Sequence, residues 1–206
     1  MILQIGYMVL IFVFGAIPFG FLISRFIGKG DIRSSGSGNI GATNVTRVLG
    51  IKWGLLSFIL DFLKGFLPYW ISLYLFPELS TSWRLWMSFP AIVGHNFSPF
   101  LGFKGGKGVS TTAGLLIAFS PLLGVWCFAA WLVLVFLFGY VSLASIVALL
   151  MAPALMIFFS WPVLHTQELL VMIVVALLGI YQHRSNIQRL ICRKEKKMLP
   201  FSLFKL

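Results

Sequence analysis

Residues Val109–His183 read VSTTAGLLIAFSPLLGVWCFAAWLVLVFLFGYVSLASIVALLMAPALMIFFSWPVLHTQELLVMIVVALLGIYQH. Between Lys107 and Arg184 there is no Lys or Arg, and the one acid there is Glu168. An apolar run of this length is solvated only by lipid or by other apolar helices. Working outward, the whole chain is 59% hydrophobic but only 10% charged, where soluble domains carry about 25% charged residues. That deficit excludes an ordinary soluble protein, a disordered chain and a coiled coil. A membrane β-barrel would alternate polar and apolar residues in segments of about ten, and no such alternation is present. The fold class is all-α, a polytopic membrane protein, expected as a single membrane-embedded domain over residues 1–206.

The remaining chain supplies the other spans. The first runs roughly Leu3–Phe26, without a basic leader or a small-residue cleavage site, so it is expected to be retained. The second runs about Trp53–Phe76, and a short apolar piece follows at Trp83–Phe97. The long run is divided at Pro121, Gly139 and Pro162, and the last span is about Glu168–Tyr181.

Net charge is +11, from 16 Lys+Arg and 5 Asp+Glu. The bases lie between apolar spans and in the C-terminal tail, which fits cytoplasmic loops facing anionic lipid rather than nucleic acid. Lys29, Arg33, Arg47 and Lys52 place the first loop inside, as do Lys104 and Lys107 the second. The tail bases Arg184, Arg189, Arg193, Lys194, Lys196 and Lys197 place the C-terminus inside. The turn at Glu78 and the link Trp161–Gln167 face out, and so does the N-terminus. From Lys107 to Trp161 the chain therefore crosses an odd number of times. One crossing would take a helix of about 50 residues, which at about 1.5 Å per residue far exceeds the ~30 Å hydrocarbon core. Three crossings fit, with turns at Ser120–Pro121 and Phe138–Tyr140. The total is then about seven spans. It falls to five, with the same sidedness, if the short pieces Trp83–Phe97 and Gly108–Phe119 are re-entrant.

Parity puts the Gly139–Tyr140 turn, and with it Ser142 and Ser145, on the cytoplasmic face that carries the polar segments. The densest of these is SSGSGNIGATNVTR (Ser34–Arg47). Glycine lets backbone amides approach an oxyanion and form anion nests. Ser, Thr and Asn add donors, and Arg adds a planar fork for phosphate. Ser35, Gly36, Ser37, Gly38, Asn39, Thr43, Asn44 and Arg47 are the candidate phosphate-binding residues. On a short helix through NIGATNVTRVLG, Thr43 and Arg47 share a face. A flexible basic loop would need no such variety of donors.

GSGNIG also spells G-x-G-x-x-G, with Asp61 downstream, but no strand precedes it and Asp61 lies in an apolar span, so a dinucleotide site is excluded. FKGGKG lacks the Ser/Thr that ends a P-loop, because Val109 follows Gly108. Its residues Lys104, Gly105, Gly106, Lys107 and Gly108 still form a cationic, backbone-accessible pocket. Topology alone needs the charge but not the glycine. In HRSNIQR, His183 and Asn186 stand at i, i+3 on a helix continuing the last span.

Asp61 and Lys64 are intramembrane charges that can neutralise each other, with a supporting role preferred. His95 reads as structural, and His165 lies in the outer link. The histidines and acids are too scattered for a metal site, and Cys127 and Cys192 form no metal or redox pattern. No histidine begins His-x-x-x-x-Asp, and no nucleophile–base–acid set is legible.

GAIPFGFLIS, GSGNIGATNVTRVLG, DFLKG, GHNFSPFLGFKGGKGV, YVSLASI and HRSNIQRL occur in this order over nearly the whole chain. Together they resemble the bacterial acyl-phosphate-dependent glycerol-3-phosphate acyltransferases. The resemblance implies an integral enzyme of the bacterial cytoplasmic membrane that needs no cofactor. It would transfer a fatty acyl group from acyl phosphate to the 1-hydroxyl of sn-glycerol 3-phosphate, giving lysophosphatidic acid and phosphate. Its surroundings would be membrane lipids, and a soluble acyl-phosphate-forming enzyme would supply the donor. Family roles map onto Ser37, Asn39, Thr43, Asn44 and Arg47, the FKGGKG lysines and glycines, Ser142, Ser145, His183 and Asn186. Glu195 also matches, whereas Arg193 stands where the family often has glycine. The rival class is a transporter of a phosphorylated metabolite, but transporters show repeats and broken helices at mid-membrane, whereas the polar groups here gather on one face. A lipid-binding scaffold would leave the donor-rich loops unexplained.

Overall fold

The computed structural model describes residues 1–160 and 166–198. Among these residues every regular element is helical. His165 and most of the Trp161–Gln167 link fall outside them. The chain forms two compact units, divided between Phe119 and Ser120.

Unit 1 begins with α1 (Ile2–Ala16) and α2 (Phe19–Phe26), which the sequence reads as one span. They are bent by 42°, because Pro18 lacks an N–H and ends the first helix. Two polar side chains satisfy the carbonyls freed at the break. Lys64 Nζ donates to Ile17 O, and Ser98 Oγ donates to Ala16 O over 2.6 Å. Without such partners, open carbonyls at membrane depth are costly.

A polar loop leads through a 3-10 turn (Ile32–Ser34) into α3 (Ala42–Leu49) and then α4 (Ile51–Leu75). At 25 residues, α4 is long enough to span a membrane. The piece Trp83–Phe97 is not one helix. It divides into α5 (Thr81–Ser88) and α6 (Pro90–Asn96), since Pro90 restarts the helix at its first position. A second 3-10 turn (Pro99–Leu101) precedes the lysine loop, and α7 (Val109–Phe119) closes the unit.

Two glycine pairs set the packing. A Cβ on Gly15 would lie 2.2 Å from Ala91 O, and one on Gly94 would lie 2.2 Å from Phe12 O, so α1 and α6 touch backbone to backbone. Gly65 and Gly114 do the same for α4 and α7, meeting Thr111 O at 1.8 Å and Phe62 O at 2.0 Å. Small residues at such contacts are how helices associate in lipid. Tyr7, Ile11, Phe76, Met87 and Ala91 form one buried cluster. Ile32, Ile40, Val45 and Leu101 form another, which joins the first polar loop to the turn just before the second.

Unit 2 contains α8 (Pro121–Phe138), α9 (Val141–Ser160), α10 (Thr166–Gln182) and α11 (Arg184–Ile191). The breaks fall at Ser120–Pro121 and Gly139–Tyr140, as the turn residues require. Gly139 takes φ +75°, and its N–H donates to Val135 O, a left-handed helix ending that glycine permits. Phe136, Leu137, Phe158 and Leu177 are exposed, as lipid-facing side chains are.

HRSNIQR does not simply extend the last span. The chain bends by 59° between α10 and α11, with His183 at the N-cap of α11. The His183 ring helps to fix the bend, its Nδ1 lying 2.7 Å from Gly179 O. By length, α4, α8 and α9 qualify as spans, and each bent pair adds one more. The short pieces α5, α6 and α7 lie below spanning length.

Candidate active site

In unit 1 the first polar loop is built around one amide. Asn44 is 2% exposed. Its Oδ1 accepts from Ser37 N at 2.7 Å, and its Nδ2 donates to Ser35 O at 3.1 Å and Asn39 O at 2.8 Å, with Ile32 O at 3.4 Å. Asn39 in turn accepts from Gly41 N at 2.8 Å, an Asx turn that starts α3. Gly36 follows from this clasp, since a Cβ there would lie 2.1 Å from Asn44 Oδ1. Asn44 and Asn39 thus shape the loop from within. Ser35, Gly36, Ser37 and Gly38 form its exposed rim.

The two arginines of this region differ sharply. Arg33 binds the Asp31 carboxylate through Nε and a terminal nitrogen, the latter at 2.7 Å, and sits over the Phe21 ring. Hydrogen bonds from Arg33 hold the Asp31 carboxyl down to about 2. Arg47, half-buried on α3 one turn after Thr43, has no acidic partner among the described residues.

The second loop wraps the end of α6. Gly105 N donates to Asn96 O at 3.1 Å, and Gly106 N donates to His95 O at 2.9 Å. Cβ atoms on Gly105, Gly106 and Gly108 would lie 2.1 Å from His95 O, 2.1 Å from His95 Nε2 and 2.7 Å from Asn96 Oδ1. These glycines are therefore demanded by packing as well as by any anion. Lys104 is exposed and without an acidic partner among the described residues, while Lys107 is half-buried. Phe103 is exposed and holds φ +61°, a conformation that non-glycine residues seldom adopt.

In unit 2, Glu195 gathers three side chains. It accepts from Ser142 Oγ at 2.7 Å and Asn186 Nδ2 at 2.6 Å on Oε1, and from Arg189 Nε at 2.6 Å on Oε2. Burial raises the Glu195 carboxyl, but these three donors outweigh it and hold it below the usual carboxylate range. The turn before it survives the loss of glycine: Arg193 itself takes φ +54°. Met198 N donates to Gly139 O at 2.7 Å, and Lys197 lies over the Tyr140 ring, so the segment after α11 is strapped to the α8–α9 turn.

Because Glu195 takes the amide nitrogen of Asn186, the amide oxygen points away. That Oδ1 is buried with no hydrogen-bond partner among the described residues. Ser145 is engaged between helices, accepting from Trp131 Nε1 at 3.0 Å and donating to Val141 O at 2.8 Å. Gly179 O accepts from His183 Nδ1, which makes Nδ1 a donor nitrogen of the ring.

The structure thus groups the first two polar segments within unit 1, and YVSLAS with the basic tail within unit 2. Two participants escaped the sequence reading: Glu195 as the centre of a network, and His95 as the wall behind Gly106. A lone acid amid Arg193, Lys194, Lys196 and Lys197 was the available signal for Glu195.

Residues 5–193 match the family model described as glycerol-3-phosphate acyltransferase. The chain belongs to this family. It is 43% identical over 187 residues to the glycerol-3-phosphate acyltransferase of Aquifex aeolicus, covering 90% of this chain and 94% of that one. Its match to the Leptospira borgpetersenii enzyme of the same name is 42%, covering 89% and 86%. The crystal structure of PlsY (YgiH), an integral membrane glycerol 3-phosphate acyltransferase in its glycerol 3-phosphate form, superposes with a TM-score of 0.89 at 39% identity, covering 98% of this chain and 99% of that one. The lysophosphatidic acid form of PlsY gives 0.86 at 38% identity, with the same coverage. As a glycerol-3-phosphate acyltransferase of the membrane, the chain accounts for both its apolar helices and its cationic loops.

Proposed function

We propose that this acyltransferase takes its acyl group from acyl phosphate and places it on the 1-hydroxyl of sn-glycerol 3-phosphate, releasing lysophosphatidic acid and inorganic phosphate. The observation that carries this reading is the contrast in unit 1 between neutralised and unneutralised cations. Arg33 has its carboxylate, whereas Arg47 and Lys104 have none among the described residues. Arg47 stands on α3, just after the loop that Asn44 shapes, and Lys104 on the glycine-rich loop that wraps the end of α6. Unneutralised cations and exposed hydroxyls on a preorganised loop suit phosphate, and both substrates carry one.

The hydroxyl of glycerol 3-phosphate attacks the acyl carbonyl carbon directly. The new ester C–O bond forms, the bond from that carbon to the phosphate oxygen breaks, and phosphate departs with the electron pair. The hydroxyl proton passes to a phosphate oxygen of the donor or to His183. No acyl-enzyme is formed, and the state of the unit 2 serines supports this. Ser142 donates to a carboxylate that holds two further donors, and Ser145 donates to a main-chain carbonyl. An activated serine would donate to a general base. Acyl phosphate is a mixed anhydride, so positioning and charge stabilisation suffice as catalysis. Asn186 Oδ1 is an acceptor suited to a substrate hydroxyl.

The polar loops and the tail face the cytoplasm of a bacterial inner membrane, with the N-terminus outside. A soluble enzyme that forms acyl phosphate supplies the donor. The test is purified protein with acyl phosphate and glycerol 3-phosphate, scored for lysophosphatidic acid. Equal turnover with acyl-CoA would overturn the donor. Flux of glycerol 3-phosphate across sealed vesicles without product would favour a transporter instead.

A further inference from the structure

Below the lysine loop of unit 1 lies a chain of buried ionisable side chains that the reaction above does not use. Lys64 is 0% exposed and Asp61 2% exposed, with Nζ and Oδ1 2.6 Å apart. Lys64 Nζ also donates to Ile17 O and lies 4.7 Å from the Phe19 ring centre. Its task is plain: it closes the α1–α2 break. Asp61 neutralises that lysine, but stability alone does not call for an ion pair in this place. Desolvating an ion pair is expensive, and an apolar replacement of similar volume is often as stable or more so.

Besides Lys64, Asp61 Oδ1 meets His95 Nδ1 at 3.5 Å. His95 is 4% exposed, and its Nδ1 makes no hydrogen bond among the described residues. The other edge of the ring occupies the place where a Gly106 side chain would stand, while the His95 carbonyl holds Gly106 N. One residue therefore grips Gly106 from its carbonyl and its ring together, and Gly106 lies between Lys104 and Lys107.

We infer that Asp61 and His95 are positioning residues for the anion-binding loop Lys104–Lys107. Asp61 orients the His95 ring, and the ring fixes the path of Gly106 and hence the stance of the flanking lysines. The inference rests on the reading of that loop as a phosphate site, but it can be tested apart from acyl transfer.

The experiment compares the full-length protein with His95→Ala, His95→Gln, Gly106→Ala and the double variant His95→Ala/Gly106→Ala, all purified in detergent. One readout is the shift in thermal unfolding on adding glycerol 3-phosphate or inorganic phosphate. The other is KM and kcat for each phosphorylated substrate. Misplacing a binding group by about 1 Å can cost up to about a hundredfold, so His95→Ala should weaken anion binding and raise one KM by roughly tenfold or more. Its kcat should change less. His95→Gln, which keeps a polar group near Asp61, should recover part of the loss. Gly106→Ala should be costly alone and less costly in the His95→Ala background, where the added methyl has room. If His95→Ala does not fold, His95→Gln must still show a raised KM. Unaltered KM values and anion-induced shifts in a folded His95 variant would overturn the inference, even if its melting temperature fell. A wild-type protein that binds these anions but transfers no acyl group would defeat the functional reading, and the binding shifts would still decide the role of His95.

Discussion

Ser142 Oγ donates to Glu195 Oε1 over 2.7 Å, tying the first turn of α9 to the segment that follows α11. On the mechanism proposed above, the hydroxyl supports the carboxylate and does not act as a nucleophile. Ser142→Ala leaves Glu195 its bonds to Asn186 and Arg189. The loss should be that of one hydrogen bond to a charged group, about 1.5–3 kcal/mol of stability in the network. Activity should fall by no more than about two decades, whereas removing a serine nucleophile costs on the order of six. Steady-state rates of the folded variant with both substrates check this, and loss on the larger scale would point to Ser142 as an attacking group.

Glu195 also makes the stability of unit 2 depend on acid. Its folded carboxyl lies below the usual range, so its contribution is fully present above the unfolded value, about 4.3. That contribution is lost as pH falls through the lower folded value. Melting temperature in detergent should therefore drop on acidification below about pH 4.3. Asp31, held at about 2 by Arg33, titrates in the same direction, so Glu195→Gln is the comparison that isolates the effect. Glu195→Gln should be less stable at neutral pH and should lose less on acidification. Parallel curves for the two proteins would contradict the assignment.

Arg193 holds φ +54° in a turn where a side chain is disfavoured by about 1–2 kcal/mol. Arg193→Gly relieves that strain, while the freer unfolded chain takes back about 0.4–1 kcal/mol. The variant should be more stable by up to about 1.5 kcal/mol, read as a higher midpoint of thermal unfolding with the turn intact. A lower midpoint would mean that the arginine side chain itself holds the segment.

Sidedness is tested by single cysteines on a background lacking Cys127 and Cys192. Gly106 is unsuitable, since any Cβ there meets His95 Nε2. Ser35, on the exposed rim of the first loop, accepts the change. A cysteine at Ser35 should resist an impermeant thiol reagent in intact cells and react after the membrane is opened. Labelling in intact cells would reverse the topology.

Local signals carried much of this architecture. Pro121 and Gly139 mark the ends of α8 because a missing N–H and a left-handed φ act on their immediate neighbours. The helix of Thr43 and Arg47 was legible from spacing alone. Contacts between distant residues were not. Nothing local to Asn44 says that its amide faces Ile32, Ser35, Ser37 and Asn39, or that Glu195 returns to Ser142. The breaks at Pro18 and Phe89–Pro90 were hidden for a different reason: apolar composition continues across them, so hydropathy joined what proline divides. His95 read as an ordinary helix-end histidine, because its meaning lies in Asp61 on one side and Gly106 on the other.

Arg47 and Arg33 allow the phosphate-site reading to be tested within one polar segment. Arg33 is occupied by Asp31 and lies on Phe21, whereas Arg47 is half-buried with no acidic partner among the described residues. Truncating one partner of a buried charged pair costs roughly 2–5 kcal/mol. At about 1.4 kcal/mol per decade, Arg47→Ala should lose between about one and four decades in kcat/KM. Arg47→Lys should lose most of the same amount, because the charge survives but the planar fork does not. Arg33→Ala breaks an exposed ion pair of about 1 kcal/mol or less, and should lower kcat/KM by less than about one decade. Each variant must first be shown to be folded and inserted. Equal losses from Arg47→Ala and Arg33→Ala would make the first polar segment a basic loop and remove it from the phosphate site.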